Sequence, residues 1–568
     1  MKYTQITPDI TENYLEELLL ARGIKDINGF INPSKDSELQ GAKLTNMANA
    51  AIMLHKNIDK KIGLLVDSDC DGFTSAAIMY QYLHDVNPNV DITYYLHEGK
   101  GHGLDDMKDV IDEDLDLLII PDASSNDYEL HKEFADKNIS ILVLDHHEAE
   151  KYSEYACVVN NQLSEEYENK ELTGAGVVYK FCTQYDLIFD YDFAHKYIDL
   201  AAVGIVGDMS DILHPETRYI IKEGLSHITN SFLLALIEKQ AYSIGNNPIS
   251  PTVVSFYLVP LINALIRVGK PSEKELMFQA FIDGNKMVQS TKRGAKPGQY
   301  ESLGQQAARI CANAKSRQTR QKDKAIDVLE MTVEKNSLNE NKILIVPVED
   351  DTIDTTLTGL VAMQLVAKYR KPVLVGRETT DGFLKGSLRG PDKTELTDLR
   401  SFLMDSGMFE YAEGHAMAAG FSVPLKNIEA FTTYANEKLA DVNFNEGVYQ
   451  VDFVKQSSDD IHSLVLEIGG ASELWAKGNE EPYIVVRDII LSPEEIQTMG
   501  GNKDTVKFHA CGVDFLKFKD SAFAEKLKSM KEIKITVLGR ANLNNFMGNI
   551  SPQMFIEDYE LVDSYYEF

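Results

Sequence analysis

Asp67, Asp69 and Asp71 stand at alternate positions in LLVDSDCDGFTSAAIM, directly after an apolar run, with Gly72 opening the turn into a helical stretch. Carboxylates this close repel one another unless a cation lies between them, so the pattern points to divalent-metal chemistry. A solvated turn or a calcium loop is the alternative. An EF-hand, however, would want Gly at its sixth position and Glu at its twelfth, and an apolar strand before the loop fits it poorly. Asp122 in LLIIPDASSND closes another apolar run, a place where a single Asp often only caps a helix. ISILVLDHHEAE adds Asp145, His146 and His147 at the end of a further run. A lone histidine is usually structural, whereas two after an Asp suit a metal ligand and the partner that orients it. Asp208 in AAVGIVGDMSDI is weak alone and gains meaning from its order with the others. Oxygen-rich donors with few imidazoles favour manganese or magnesium over zinc.

These residues need elements that hold them together. From 62 to 144 the runs IGLLV, ITYYL, LDLLII and ISILVL alternate with helical stretches, the pattern of buried parallel strands. Three of the four end in Asp67, Asp122 and Asp145, and the carboxyl ends of such strands form the ligand crevice of an open α/β sheet. Upstream, YLEELLLARGI and LTNMANAAIMLHKNI carry helical periodicity and read as an N-terminal cap. Residues 272–336 read as helical and locally basic, with Lys292, Arg293, Lys296, Arg309, Lys315, Arg317, Arg320, Lys322 and Lys324. KILIVPV, GLVAMQLVAKY and KPVLVG then spell strand, helix, strand: a second α/β domain. Beyond about 447 the chain turns strand-rich, and a small β-barrel is expected.

The chain of 568 residues is long enough for three or four domains. Its net charge of −32 argues against indiscriminate binding to polyanions, so a nucleic-acid substrate would need a local groove. The five cysteines form no CxxC pair, which points to neither a disulfide framework nor a zinc site. No uncharged stretch is expected to approach the roughly 18 residues of a spanning helix, and the start lacks a basic segment leading into an apolar run. The expectation is a cytoplasmic protein without membrane contact.

The ordered set DSDCDG, PDASSND, LDHHE and GIVGDMSDI resembles the four motifs of the DHH phosphoesterase superfamily. The resemblance implies two divalent ions, Mn2+ first and Mg2+ as an alternative. It makes Asp69, Asp71, Asp122, His146 and Asp208 ligands, with Asp122 bridging, Asp67 a further ligand, and Asp145 and His147 orienting ligands or touching phosphate. Over nearly its whole length the chain is similar to the RecJ branch. ELLLARGI, FINPS, LTGAGVVYKF, VPLINALIRVGKP, GLVAMQLVAKYRKPVLV, LKGSLRG, EGHAMAAGF, WAKGNEEP and VLGRANLNNFMGNISPQ carry that similarity.

The implied architecture is α/β: an N-terminal helical cap (1–46), a DHH parallel-sheet domain (47–240), substrate-facing and connecting helices (241–338), a DHH-associated α/β domain (339–446) and an OB-fold-like β-barrel (447–568). Arg218, Asn263, Arg267, Gly386, Ser387, Arg389 and His415 become expected contacts to DNA phosphates. Arg389 is the 5′-end anchor, because a guanidinium forks two phosphate oxygens and the nearby glycines allow close backbone approach. Outside the resemblance, Arg389 reads as an ordinary loop arginine and His415 equally well as a capping or core histidine. The sequence departs from the family pattern at Glu413, Ile266 and Thr217, and in HEGKGHGL, which lacks an arginine.

The expected activity is 5′–3′ hydrolysis of single-stranded DNA in repair, recombination or replication, the strand threading between the two α/β domains. Trp475, Phe508, Phe546 and Phe555 are candidate stacking platforms, core packing being the commoner role of such residues. A single-strand-binding protein or helicase is a conceivable partner, and a monomer is the default. A hydrolase of short oligonucleotides or cyclic dinucleotides would carry the same motifs without the tail, and an inactive DNA-binding scaffold would have lost ligands.

Overall fold

The computed structural model describes residues 1–99, 101–104, 107–348, 357–391, 394–444, 448–500, 503–546 and 548–562. They form two compact units. Among the described residues one comprises 1–6, 315–454 and 558–560, the other 7–314, 455–557 and 561–562. The opening residues are a strand, β1 (Lys2–Gln5), where helical periodicity further on predicts a cap; β1 belongs to the smaller unit.

The larger unit is built on five parallel strands: β2 (Lys61–Val66), β3 (Asp91–Leu96), β4 (Leu117–Pro121), β5 (Ser140–Asp145) and β6 (Cys157–Asn160). Their order is β3-β2-β4-β5-β6. The apolar runs become strands buried on both faces, as β4 is at every residue. Strand order reverses between β2 and β4, so the crevice beyond their carboxyl ends is the topological switch point. Helix α1 (Cys70–Val86) follows β2 and packs on α2 (Gly174–Phe189) and α3 (Ile198–Gly207). Gly204 of α3 permits this approach, since a Cβ there would sit 2.4 Å from Asp71 Oδ1 and 2.5 Å from Ala175 Cβ.

Residues 240–266 contain no Asp, Glu, Lys or Arg, which corrects the expectation about uncharged stretches. Within them helix α4 (Pro251–Val268) is long and apolar enough to cross a bilayer, but more than half of it is buried inside the fold, so it reads as a core helix. The basic segment is not continuously helical either. Residues 287–302 form a two-stranded hairpin, β7 (Met287–Gln289) and β8 (Tyr300–Ser302), whose exposed tip carries Lys292, Arg293 and Lys296. Gly294 and Gly298 turn that tip at φ +84° and +82°. The 33-residue helix α5 (Leu303–Lys335) follows.

The smaller unit holds a mixed sheet of β9 (Leu344–Val348), β10 (Val373–Glu378), β11 (Phe383–Arg389), β12 (Tyr411–His415) and β13 (Ala418–Pro424), in the order β12-β13-β11-β10-β9. Only β9 and β10 run parallel. Helix α6 (Thr358–Tyr369) lies against β10 and β11, and Leu374, Leu388, Phe421 and Phe431 centre the core. β1 pairs in parallel with β14 (Val448–Val451). The boundary expected at 446–447 falls on residues outside those described.

The C-terminal strands β15 (Phe453–Gln456), β16 (Tyr483–Leu491), β17 (Gln497–Met499), β18 (Thr505–Ala510), β19 (Val513–Lys517), β20 (Ile533–Phe546) and β21 (Asn549–Val562) form one sheet, ordered β15-β16-β20-β21-β19-β18-β17. Within the larger unit the loop before β16 is tied to the N-terminal part, where Lys477 O accepts from Ile212 N at 3.0 Å and Asn479 Oδ1 from Arg22 Nη1 at 2.7 Å. Trp475 and Phe508 are core residues, Phe508 stacking on Phe515 at 5.1 Å. Phe555 is half-buried against the exposed Phe518, and the side chain of Phe546 lies outside the described residues.

Candidate metal centre

Asp67 is the first residue beyond β2, buried, and both its oxygens are engaged. Oδ1 accepts from Gly103 N at 3.1 Å, and His102 Nδ1 lies 3.0 Å from Oδ2. Asp69 caps α1 by accepting from Gly72 N at 2.9 Å. Gly72 must lack a side chain, because a Cβ would meet the Asp67 backbone oxygen at 2.7 Å. In the first turn of the helix, Asp71 is fixed through Oδ1 by Thr173 Oγ1 at 2.9 Å and Ala175 N at 3.1 Å. Its Oδ2 is buried and accepts no hydrogen bond.

Asp122 follows β4 with φ +62°, a conformation that costs a non-glycine residue free energy and concentrates at functional sites. Its amide donates to Leu144 O at 2.8 Å, its carboxylate points inward, and Oδ1 accepts no hydrogen bond. Gly174 makes room for it, since a Cβ there would sit 2.3 Å from Asp122 Oδ1. Asp145 ends β5 and is fully buried. Its Oδ1 accepts from His146 N (2.7 Å), His147 N (3.2 Å) and His147 Nδ1 (2.8 Å), while Oδ2 accepts from Ser125 N (3.1 Å). Asp145 therefore organises the histidine pair.

His146 Nε2 lies 3.2 Å from Asp122 Oδ1 and 3.9 Å from both Asp71 Oδ2 and Asp208 Oδ2, Asp208 being the residue that ends α3. On the other side, ligand atoms of Asp67, Asp69 and Asp122 lie within 4.8 Å of one another. Two donor groups thus meet at Asp122. His147 lines the adjoining cleft of about 460 Å3 with Asp67, Ser68, Asp69, Gly101, His102, Asn263 and Arg267.

The electrostatics follow from burial. Asp71 is pushed up to about 7 by burial, then by Asp208 and Asp69. Asp122 rises well above the ordinary carboxylate value through burial and then Asp71, and Asp69 rises through burial and then the charges of Asp67 and Asp208. Burial lowers His146, aided by the charge of His147, leaving a neutral imidazole fit to ligate. Burial alone would also lower His147, but the hydrogen bond and charge of Asp145 outweigh it and lift His147 to about 9. The same contact holds Asp145 well below the usual carboxylate range against the opposing effect of its burial. Carboxylates that resist ionisation, two oxygens without hydrogen bonds and glycines that leave space are the marks of a cation site, and this donor set fits divalent ions.

The structure therefore brings Asp67, Asp69, Asp71, Asp122, Asp145, His146, His147 and Asp208 together, with Asn263 and Arg267 on the cleft wall. Arg218 is corrected. It is 1 % exposed, its guanidinium donates at 3.2 Å to the carbonyls of Phe30 and Glu473, and it covers the Phe30 ring at 4.5 Å, so no phosphate reaches it. Gly386, Ser387, Arg389 and His415 belong to the mixed sheet of the smaller unit. Ser387 Oγ lies 2.8 Å from Thr358 Oγ1 at the start of α6, and Arg389 Nη2 lies 2.6 Å from where a Cβ of Gly359 would be. Ala418 pairs with both Arg389 and His415, so those two stand in register across three strands. A Cβ on Gly386 would collide with Val375 O at 2.0 Å, which explains this glycine by strand packing. Sequence reasoning missed His102, whose ring stands 4.7 Å from that of His147. Its signal was the second histidine of HEGKGHGL, a segment that stands out in the sequence only for lacking an arginine.

The sequence matches the model described as the DHH family, N-terminal domain, over residues 61–205, and the RecJ OB domain over 455–558. It is 38 % identical over 557 residues to the putative SPbeta prophage-derived single-strand DNA-specific exonuclease YorK of Bacillus subtilis, covering 96 % of each chain. It is 25 % identical over 534 residues to the single-stranded-DNA-specific exonuclease RecJ of the same species, covering 91 % of this chain and 63 % of that one. The crystal structure of RecJ in complex with Mn2+ from Thermus thermophilus superposes with a TM-score of 0.74 at 19 % identity, over 99 % of this chain and 80 % of that one. The Mg2+ complex from the same source gives 0.69, also at 19 % identity, over 99 % and 79 %. At those identities the two structures speak for the fold.

Proposed function

Because this chain belongs to the RecJ-like branch of the DHH superfamily, we propose that it is a metal-dependent exonuclease that hydrolyses single-stranded DNA from the 5′ end. The observation that carries the reading is the meeting of two donor groups at Asp122, on the switch point of a parallel sheet and beside a cleft walled by Arg267, Asn263 and His147. On this reading Asp71, Asp122, His146 and Asp208 would hold one divalent ion and Asp67 and Asp69, with Asp122, another. The ions, Mn2+ in preference to Mg2+, supply Lewis acidity to the phosphodiester and make water nucleophilic at neutral pH.

The chain's own residues do the rest. Asp145 holds His147 protonated beside the cleft, where the imidazolium offers a donor to a phosphate oxygen. Arg267, partly desolvated and facing Asp69, adds a second cation, and Asn263 has a buried Oδ1 that accepts no hydrogen bond. Ser387, Arg389 and His415 are read as contacts to the terminal phosphate, supported by their shared end of one sheet and the exposure of His415. The basic tip of the β7–β8 hairpin is read as a further contact to the DNA backbone. The place we assign the activity is DNA repair, recombination or replication.

The test gives the purified protein Mn2+ and single-stranded DNA labelled at either end, with duplex, RNA and a dinucleotide alongside. Stepwise loss from the 5′ end of single strands is expected. Turnover of the dinucleotide alone would replace this reading with a short-substrate hydrolase.

A further inference from the structure

Helix α4 is buried on every side but one. Its partly or fully exposed positions include Thr252, Phe256, Pro260, Asn263 and Arg267, spaced four, four, three and four apart, which is one stripe of a helix; Ser255 and Tyr257 flank Phe256. Asn263 and Arg267 at one end of the stripe line the cleft beside the acidic cluster. Phe256 lies 11 residues back along the same stripe, about 16 Å at 1.5 Å per residue, and is 68 % exposed. Its apolar neighbours Val253, Val254, Leu258 and Val259 are all buried.

The backbone is irregular at that point. Residues Val254–Leu258 form a π-turn, Val259 N bonding to Val254 O. Pro260 accounts for it: proline has no N–H to give the carbonyl of Phe256, so the regular ladder cannot pass through this turn. Wide turns of this kind recur at functional sites. Here the turn falls where the aromatic ring stands out.

We infer that Phe256 is a base-stacking platform for the single strand whose end lies in the cleft, several nucleotides from the reacting phosphate. The inference rests on the exonuclease reading of the previous section. An uncharged ring leading to an arginine and an amide is the combination that binds single strands without regard to sequence, because every base has a π-face while cations engage the backbone. The platform holds strand that has not yet reached the cleft, so it acts on long substrates and is silent for those that occupy the cleft alone.

Phe256→Ala, Phe256→Trp and, as an exposed apolar control on another helix, Leu187→Ala test this. Phe256→Ala is expected to weaken binding and raise KM for long single strands about 5–150-fold, the factor equivalent to about 1–3 kcal/mol per stacked base. Turnover of a dinucleotide and the Tm should stay as in the parent. Phe256→Trp should restore long-strand affinity, and its emission should be quenched on adding DNA; the chain's own Trp475 is buried and serves as the baseline. If Phe256→Ala binds and degrades long strands like the parent, or loses equally on the dinucleotide, the platform is overturned while the exonuclease reading stands. If the parent protein neither binds nor cuts single strands, both fall.

Discussion

The two five-stranded sheets carry their polar residues in opposite ways. The parallel sheet sinks acids at its carboxyl ends: Asp71, Asp122 and Asp145 are each at most 1 % exposed. There a non-glycine residue is held at φ +62°, and two carboxylate oxygens lack hydrogen bonds. In the mixed sheet Gly386, Ser387 and Arg389 are partly exposed and His415 exposed, Ser387 has Thr358 as a partner, and no described residue of β11 or β12 other than Gly414 has positive φ. The first arrangement is costly without a cation, since desolvation and mutual repulsion oppose ionisation. The second costs little, and its contribution to binding can be correspondingly modest. Strain and buried charge thus mark where chemistry happens more clearly than exposed cations mark where a ligand rests.

Removing the shared acid gives the largest expected effect. Asp122→Ala should lower hydrolysis by more than about 10³-fold, beyond the 10–100-fold typical of a group that only orients a ligand, while DNA binding persists. The same change should raise the Tm of the metal-free protein, because it relieves Asp71 of a buried neighbour. A lower Tm in the presence of chelator would show that the cluster is not strained. Asp145→Asn, which leaves the fold of β5 but weakens the hold on His147, should cost about 10–100-fold in turnover. Equal activity would mean that Asp145 has only a structural part.

The metal-free protein should also respond to pH in a direction fixed by these groups. Asp71 is raised from 3.8 to about 7, so the folded state keeps a proton that the unfolded chain releases, and stability falls as pH rises between about 4 and 7. His147, raised from 6.5 to about 9, contributes stability that is fully present below 6.5 and lost as pH climbs through 9. Asp145 and His146 have the opposite sign: the contribution of Asp145 is lost only on acidification below the ordinary carboxylate value, and that of His146, held below 6.5, opposes the decline only up to that pH. Thermal unfolding in chelator should therefore show Tm declining from pH 5 to 8, and Mn2+ should flatten the decline by taking the proton's place. A Tm that rises over this range without metal would contradict the assignment.

The smallest effects on activity come from the two arginines that the sequence treats alike. Arg389→Ala should raise KM on 5′-phosphorylated strands about tenfold, as expected for one lost charge-assisted contact, with little change in kcat. Arg218→Met should leave KM unchanged and appear instead as a lower Tm, since its hydrogen bonds to Phe30 and Glu473 tie the larger unit together.

Those arginines show what the sequence can and cannot reveal. The acidic and histidine cluster is legible because its residues fall in short motifs at strand ends, where residue type and position both report on chemistry. Arg218 carries no such local sign: whether an arginine meets a phosphate or a carbonyl is settled by what packs over it, here residues near 30 and 473. His102 is opaque for a related reason, coming from an irregular loop between β3 and β4 that has no periodicity to read. The hairpin at 287–302 was hidden by the helical pattern on either side, since its strands are three residues each. The uncharged stretch 240–266 is plain in the sequence, but composition alone does not separate a core helix with one exposed stripe from a membrane span; burial does.

The pairing of β1 with β14 has a bearing on how the protein comes into being. Lys2 aligns with Val448, so this strand finds its neighbour only after more than 440 further residues have been made. At about 5–20 residues per second, roughly 20–90 s pass before that strand can be paired. Four residues, two of them exposed in the finished protein, are a short edge to leave open for so long. The parallel sheet and its acidic cluster are complete by residue 208, long before the second sheet exists. The order of synthesis thus separates the two sheets in time: every residue of the acidic cluster precedes every residue of the mixed sheet.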